Sequence, residues 1–153
     1  MKLRQVLAQK KSAGHVLTVG PEVTLQRVID LLCEERVGAL IVSEQETKNM
    51  LGIVSERDVL RSLCSQRKKS PEETTVAEVM TRDVIVAKPD EDAHTALSVM
   101  SRHDIQHLPV TENDRVVEML STRDLLRALY QADEVKIHHL EDYLGGTYGL
   151  QVY

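Results

Sequence analysis

Internal duplication constrains this chain more than any other feature. At an offset of 68 residues Pro21 lies over Pro89. The short run Val16-Leu17-Thr18-Val19 then lies over Val84-Ile85-Val86-Ala87. Leu25, Val28, Ile29 and Leu32 lie over Ala93, Ala96, Leu97 and Met100, and both sets have the spacing of one apolar helix face. Gly38-Ala39-Leu40-Ile41-Val42 lies over Gln106-His107-Leu108-Pro109-Val110, a second strand. Past a polar loop the offset drops to 66, and Gly52-Ile53-Val54-Ser55-Glu56-Arg57-Asp58 lies over Glu118-Met119-Leu120-Ser121-Thr122-Arg123-Asp124. Each unit reads strand, helix, strand, strand, helix. One unit has too few apolar faces to close a core, and stacking a second supplies them. The expected fold is mixed α/β (α+β): two β-α-β-β-α repeats packed as a pseudo-symmetric pair.

The repeats fall at 12–66 and 82–130. Residues 1–11 carry Leu3, Val6 and Leu7 at helical spacing and read as an N-terminal helix. Residues 67–81 form a linker that breaks at Pro71 and carries a helix marked by Val76, Val79 and Met80. In 131–153, Ile137, Leu140 and Leu144 mark a short C-terminal helix expected to stop at Gly145-Gly146, with a tail beyond it.

Composition excludes several classes. The 153 residues include no Phe and no Trp, and three of the four Tyr (Tyr143, Tyr148, Tyr153) crowd the last stretch. The core must be aliphatic, and an aromatic platform for single-stranded nucleic acid is ruled out. A formal net charge of −5 and a pI near 5.7 argue against a nucleic-acid partner. The basic run Arg67, Lys68 and Lys69 reads as a solvated helix end and linker. Cys33 and Cys64 have neither disulfide-framework nor metal-ligand spacing, which favours a reducing compartment. No signal-peptide stretch opens the chain. The longest apolar run, 37–42, is far short of the ~20 residues of a membrane span. The protein is expected in the cytoplasm, away from membranes.

The repeated Ser-x-x-Asp carries the chemistry. Ser55 and Asp58, and again Ser121 and Asp124, stand where a strand ends and a helix opens. A Ser at the N-cap with an acid three residues on resembles a capping box. The same place attracts phosphate through free N–H groups and the helix dipole. Arg57 and Arg123, in the first turn, can add charge-assisted bonds. A carboxylate there suits the vicinal diol of a ribose. The structural and ligand-binding readings are compatible.

The double pattern resembles a tandem pair of cystathionine-β-synthase (CBS) domains, a Bateman module. The resemblance rests on residues 52–59, on Val79-Met80-Thr81-Arg82-Asp83-Val84 and on His107-Leu108-Pro109-Val110, and it covers roughly 12–130. Leu140-Glu141-Asp142-Tyr143-Leu144-Gly145-Gly146 is similar to the end of small stand-alone bacterial members. The resemblance implies an adenosyl ligand, AMP or ATP foremost, in clefts between the repeats. It assigns ribose to Asp58 and Asp124 and phosphate to Ser55, Ser121, Arg57 and Arg123. It adds Gly20 and Lys88, Gly38 and Ala39, and Gln106 and His107 as cleft-lining residues. It also implies a homodimer of pairs. Two departures stand out. Glu118 replaces the glycine of the second motif and puts a carboxylate near a phosphate, so the Ser55/Asp58 cleft is expected to be the stronger. Ile41 replaces the proline of the second strand, an exchange expected to be harmless.

No catalytic constellation accompanies these motifs, and the chain reads as a non-enzyme. His103 and His107 straddle a helix end without an acid in a zinc-hydrolase pattern, and His138-His139 reads as part of a polar helix face. No metal or required cofactor is expected. The expected function is a regulatory ligand sensor that signals in trans to a partner protein. The alternatives are a dimerisation protein with unused clefts, a sensor of NAD(H) or S-adenosylmethionine, and an unrecognised enzyme acting on nucleotides.

Overall fold

The computed structural model describes residues 1–10, 16–44, 46–47, 49–65 and 69–144, and over 135–144 the backbone alone. His15, Arg67, Lys68, Gly145-Gly146, Tyr148 and Tyr153 lie outside the described residues.

The elements follow in order as α1 (Leu3–Gln9), β1 (Thr18–Val19), α2 (Leu25–Glu35), β2 (Ala39–Ser43), β3 (Met50–Ser55), α3 (Glu56–Cys64), α4 (Val76–Val79), α5 (Ala93–Arg102), β4 (His107–Glu112), β5 (Arg115–Ser121) and α6 (Thr122–Leu144). In the first repeat β1 pairs parallel with β2, which pairs antiparallel with β3. In the second, β4 and β5 form an antiparallel hairpin. Its two-residue turn, Asn113-Asp114, has positive φ at both positions, as the twist of a tight hairpin demands.

The second repeat departs from the expected strand over 84–87, and Pro109 is the reason. In the first repeat the Ile41 N–H donates to the Leu17 carbonyl at 3.0 Å. The matching position holds Pro109, which has no N–H to give. The strand shrinks to one parallel bridge between Ala87 and Val110. Ala87 donates to the Pro109 carbonyl at 3.0 Å and accepts from the Thr111 N–H at 2.8 Å. The exchange of Ile41 for proline is therefore not neutral.

Helices α2 and α5 match closely. Thr24 caps α2 by accepting from the Arg27 N–H at 3.3 Å. Asp92 caps α5 by accepting from His94 and Thr95 at 3.0 and 3.1 Å. The buried faces are Leu25, Val28 and Leu32 in one and Ala93, Ala96 and Met100 in the other. Ile29 and Leu97 are partly buried against the same cores.

The apolar interior divides into two clusters rather than one shared core. The first combines α2, β2 and β3 residues with Val76, Val79 and Met80 from the linker. The second combines α5, β4, β5 and α6 residues with Leu3, Val6 and Leu7 from the N-terminus. Each repeat is thus closed by the helix that precedes the other. Val76 and Ala77 donate to the carbonyls of Val23 and Pro21 at 2.8 and 2.9 Å. Leu3 and Arg4 donate to those of Glu91 and Pro89 at 2.9 and 2.8 Å. These acceptors correspond at the repeat offset, so α1 and α4 are themselves a repeated element, with Leu3 and Val6 over Val76 and Val79.

The C-terminal part differs from the expected break near residue 131. Helix α6 runs unbroken from Thr122 to Leu144. No Gly or Pro interrupts that stretch, and Leu, Ala, Arg and Glu favour continuation. The predicted apolar face of Ile137, Leu140 and Leu144, and the pair His138-His139, fall where only the backbone is described. Among the described residues no helix is long and apolar enough to cross a membrane, and no cluster of three metal-ligating side chains forms.

Candidate ligand cleft

Both Ser-x-x-Asp motifs fold as capping boxes. The Asp58 Oδ2 accepts from the Ser55 N–H and Oγ at 2.8 Å each, and the Ser55 Oγ accepts from the Asp58 N–H at 3.4 Å. The Asp124 Oδ2 accepts from the Ser121 N–H and Oγ at 2.9 and 2.8 Å, and the Ser121 Oγ accepts from the Asp124 N–H at 3.1 Å. In each motif one carboxylate oxygen orients the group and the other is left for a further partner.

The two motifs diverge at that second oxygen. The Asp58 Oδ1 accepts from the Thr81 Oγ at 3.1 Å, and Asp58 is buried at 8% exposure. Thr81 belongs to the linker, where it exchanges backbone bonds with Ile53 at 2.9 Å in both directions. Gly52 makes room for it: a Cβ there meets the Thr81 carbonyl oxygen at 2.5 Å. The glycine of the first motif serves the crossing of the linker. The Asp124 side chain keeps 25% exposure, and its Oδ1 has no hydrogen-bond partner among the described residues.

Lys10, at the end of α1, stands where the second repeat would need its Thr81. Its Nζ lies 3.0 Å from the Glu118 Oε1 and 3.9 Å from the Asp124 Oδ2, and it donates to the Met119 carbonyl. Met119 and Glu118 match Ile53 and Gly52. A long side chain replaces a close backbone contact here, so no glycine is required. The Glu118 carboxylate, which sequence reasoning sets against a phosphate, is compensated by Lys10 and also accepts from the Met119 N–H at 2.9 Å.

A cleft of about 770 Å³ opens between the repeats at this point. Of the residues singled out in the sequence, Gly38, Ala39, Gln106, His107, Ser121, Arg123 and Asp124 line it. Ser55, Arg57, Asp58, Gly20 and Lys88 do not. Arg57 instead donates to the Asp104 carbonyl at 2.7 Å and to its Oδ2 at 2.8 Å. Gly20 lines a separate cavity of about 690 Å³ beside Ile41 and Val116. Lys88 is exposed, and its N–H donates to Glu91. The linker engages the second carboxylate oxygen of Asp58, and that of Asp124 has no hydrogen-bond partner among the described residues.

The His107 ring packs on Gly38, where a Cβ would lie 2.7 Å from the Nε2. Burial holds the imidazole below its ordinary pKa, against the opposing pull of Glu56 and Asp124. The flat His107 ring and Gly38 thus form one wall of the cleft, and the Glu56 carboxyl carbon lies 3.7 Å from the same Cβ position. Among the charged cleft residues, Lys10, Glu35, Arg36, Glu56 and Arg127 escaped sequence reasoning. The signal for Lys10 was available in the match of Leu3 and Val6 to Val76 and Val79, which sends the end of α1 toward the second motif.

A two-repeat α/β fold closed by crossing linker helices, with a fixed carboxylate in the cleft between repeats, defines a paired-repeat architecture. The CBS domain family matches residues 12–65 and 76–131, and the chain belongs to it. The chain is 28% identical over 142 residues to the mitochondrial CBS domain-containing protein CBSX3 of Arabidopsis thaliana, covering 91% of this chain and 68% of that one. A putative signal-transduction protein with CBS domains from Burkholderia ambifaria superposes with a TM-score of 0.78 at 29% identity, covering 84% of this chain and 93% of that one. A CBS domain protein from Pyrobaculum aerophilum, complexed with AMP, shares the fold with a TM-score of 0.69 at 23% identity, covering 81% and 89%.

Proposed function

We propose that this chain is a regulatory ligand sensor that takes an adenosyl nucleotide, AMP- or ATP-like, in the cleft at Asp124. The observation that carries this reading is the posture of Asp124. Its Oδ2 is fixed by Ser121, and its Oδ1 is left open beside a cleft walled by Gly38 and His107. A fixed carboxylate accepts both hydroxyls of a ribose, the flat wall suits an adenine face, and Arg123 suits a phosphate. The same fold holds AMP in the Pyrobaculum protein, a likeness of fold alone.

Sensing then works by population shift. A ligand biases two arrangements only through its different affinity for each. Here the cleft joins both repeats and the end of α1, so occupancy acts on how they sit together. A partner protein reads the change in trans, and the chain itself does no chemistry. The working unit is a homodimer that buries the exposed Leu60, Leu63, Leu126 and Tyr130 of α3 and α6.

The test is a thermal-shift screen against AMP, ADP, ATP, NAD, NADH and S-adenosylmethionine. A ligand at ~100 times its Kd stabilises by about 2.7 kcal/mol. That is roughly 5–10 °C for a chain of this size. The shift is expected from an adenine nucleotide and lost in Asp124→Ala. A shift of the same size in Asp124→Ala refutes the assignment, and no shift from any compound leaves the dimerisation reading in its place.

A further inference from the structure

After their first helices the two repeats place left-handed residues of opposite charge at matching positions. Arg36 follows α2 and Asp104 follows α5, and they correspond at the repeat offset. Both adopt the left-handed conformation, with φ of 54° and 51°. The residues after them also match: Val37 donates to the Leu32 carbonyl at 3.2 Å and Ile105 to the Met100 carbonyl at 2.9 Å. The two side chains therefore leave equivalent points of the fold.

Asp104 contacts the first-turn arginine of the other repeat's motif, and Arg36 lines the same cleft as the corresponding arginine of the second motif. Arg57 meets Asp104 and donates to its carboxylate and carbonyl. At the matching place Arg123 shares the cleft with Arg36, and Arg127 joins them. Among the described residues the side chains of these three arginines have no ion-pair or hydrogen-bond partner. The Arg57–Asp104 contact thus carries its own counter-charge, whereas Arg36, Arg123 and Arg127 stand in the cleft with no side-chain partner among the described residues. Glu35, Glu56, Glu118 and Asp124 line the same cleft, and of these Glu118 and Asp124 lie within ion-pair distance of Lys10.

We infer that this chain binds one phosphate-bearing nucleotide per chain, with Arg36 as the residue that selects for the phosphate. This rests on the ligand-sensing reading and deepens it. Asp104 occupies the place of a ligand phosphate against Arg57 in the other half. An anion entering there must displace a carboxylate from its arginine and then lie beside that like charge. The Arg57–Asp104 pair is exposed, with side-chain exposures of 37% and 84%. Its contribution to stability is therefore small, and its effect is on which cleft accepts an anion. A cationic sulfonium in the place of the phosphate gains nothing from Arg36 and Arg123.

Isothermal titration of the full chain with AMP, ADP, ATP and adenosine tests this. One equivalent per chain is expected, with at least one of the nucleotides bound more tightly than adenosine. Arg36→Gln is expected to weaken that nucleotide roughly ten- to hundred-fold, the size of a charged hydrogen bond, while adenosine binds as before. Arg57→Gln is expected to bind like the unsubstituted chain. Both arginines are surface residues, and an unchanged ligand-free melting temperature confirms intact folding. Two equivalents, an Arg36→Gln chain that binds as before, or equal losses from Arg36→Gln and Arg57→Gln overturn the one-site assignment while the sensor reading stands. No binding of any of the four compounds removes both.

Discussion

The Lys10 ammonium lies 3.0 Å from the Glu118 carboxylate, and 108 residues of chain separate the two. The pair ties the end of α1 to β5, at the mouth of the cleft. Glu118 is 4% exposed, and Lys10 supplies a counter-charge to its buried carboxylate.

Removing Lys10 alone is therefore expected to destabilise the fold. Breaking a buried pair by removing one partner costs about 3–5 kcal/mol. Lys10 is itself 20% exposed, so Lys10→Ala is expected near the bottom of that range, about 3 kcal/mol. The double change Lys10→Met with Glu118→Leu should recover most of the loss, because no buried charge is left behind. Urea unfolding of the three proteins measures this. A double variant no more stable than Lys10→Ala contradicts it.

Gly52→Ala is expected to loosen the linker. The added Cβ would sit 2.5 Å from the Thr81 carbonyl, and backbone cannot swing aside as a side chain can. The reciprocal bonds of Ile53 and Thr81 must lengthen, at a cost of about 1–3 kcal/mol typical of overpacking. Hydrogen exchange at the Ile53 and Thr81 amides should speed up in the variant. Unchanged protection at both amides would falsify the linker-crossing role given to this glycine.

The duplication, the helix faces and the Ser-x-x-Asp caps were legible because they depend on local spacing. Leu25, Val28 and Leu32 point inward for the same reason that they recur every three or four residues. The crossing of α1 and α4 was not legible in that way. It depends on which repeat each helix meets, and Leu3 finds its partners about 90 residues away. The different fates of Asp58 and Asp124 follow from that crossing, since Thr81 reaches one and Lys10 approaches the other. Pro109 was visible, but its effect on residues 84–87 required the register that pairs Ile41 with Leu17.

His107 gives the fold a pH dependence with a definite sign. Burial lowers its folded-state pKa below the ordinary 6.5, with Glu56 and Asp124 opposing and Lys10 and Arg57 assisting the shift. Below pH 6.5 the unfolded chain takes up a proton that the folded chain refuses. Stability from this group is therefore complete above 6.5 and declines as pH falls toward the folded-state value. Melting temperatures between pH 8 and pH 5 should fall more steeply in the unsubstituted chain than in His107→Gln. Parallel curves would show that His107 titrates alike in both states.

The outer faces of α3 and α6 bear on assembly. Leu60 and Leu126 correspond at the offset of 66 and are 61% and 53% exposed. Leu63 and Tyr130 extend the same surface, at 55% and 65%. Each repeat therefore presents an apolar helix face that its own core does not use. Placing a second copy against both faces removes that surface from water, at roughly 25 cal/mol per Å². The charged substitutions Leu60→Glu and Leu126→Glu together put one carboxylate on each face, and burying an unpaired charge opposes association far more than the lost contacts do. Sedimentation equilibrium is expected to give twice the 17.2 kDa chain mass for the unsubstituted protein and a single chain mass for the double variant. Far-UV circular dichroism should be the same for both, since neither side chain contributes to the core. A double variant that keeps the two-chain mass places the contact elsewhere on the molecule.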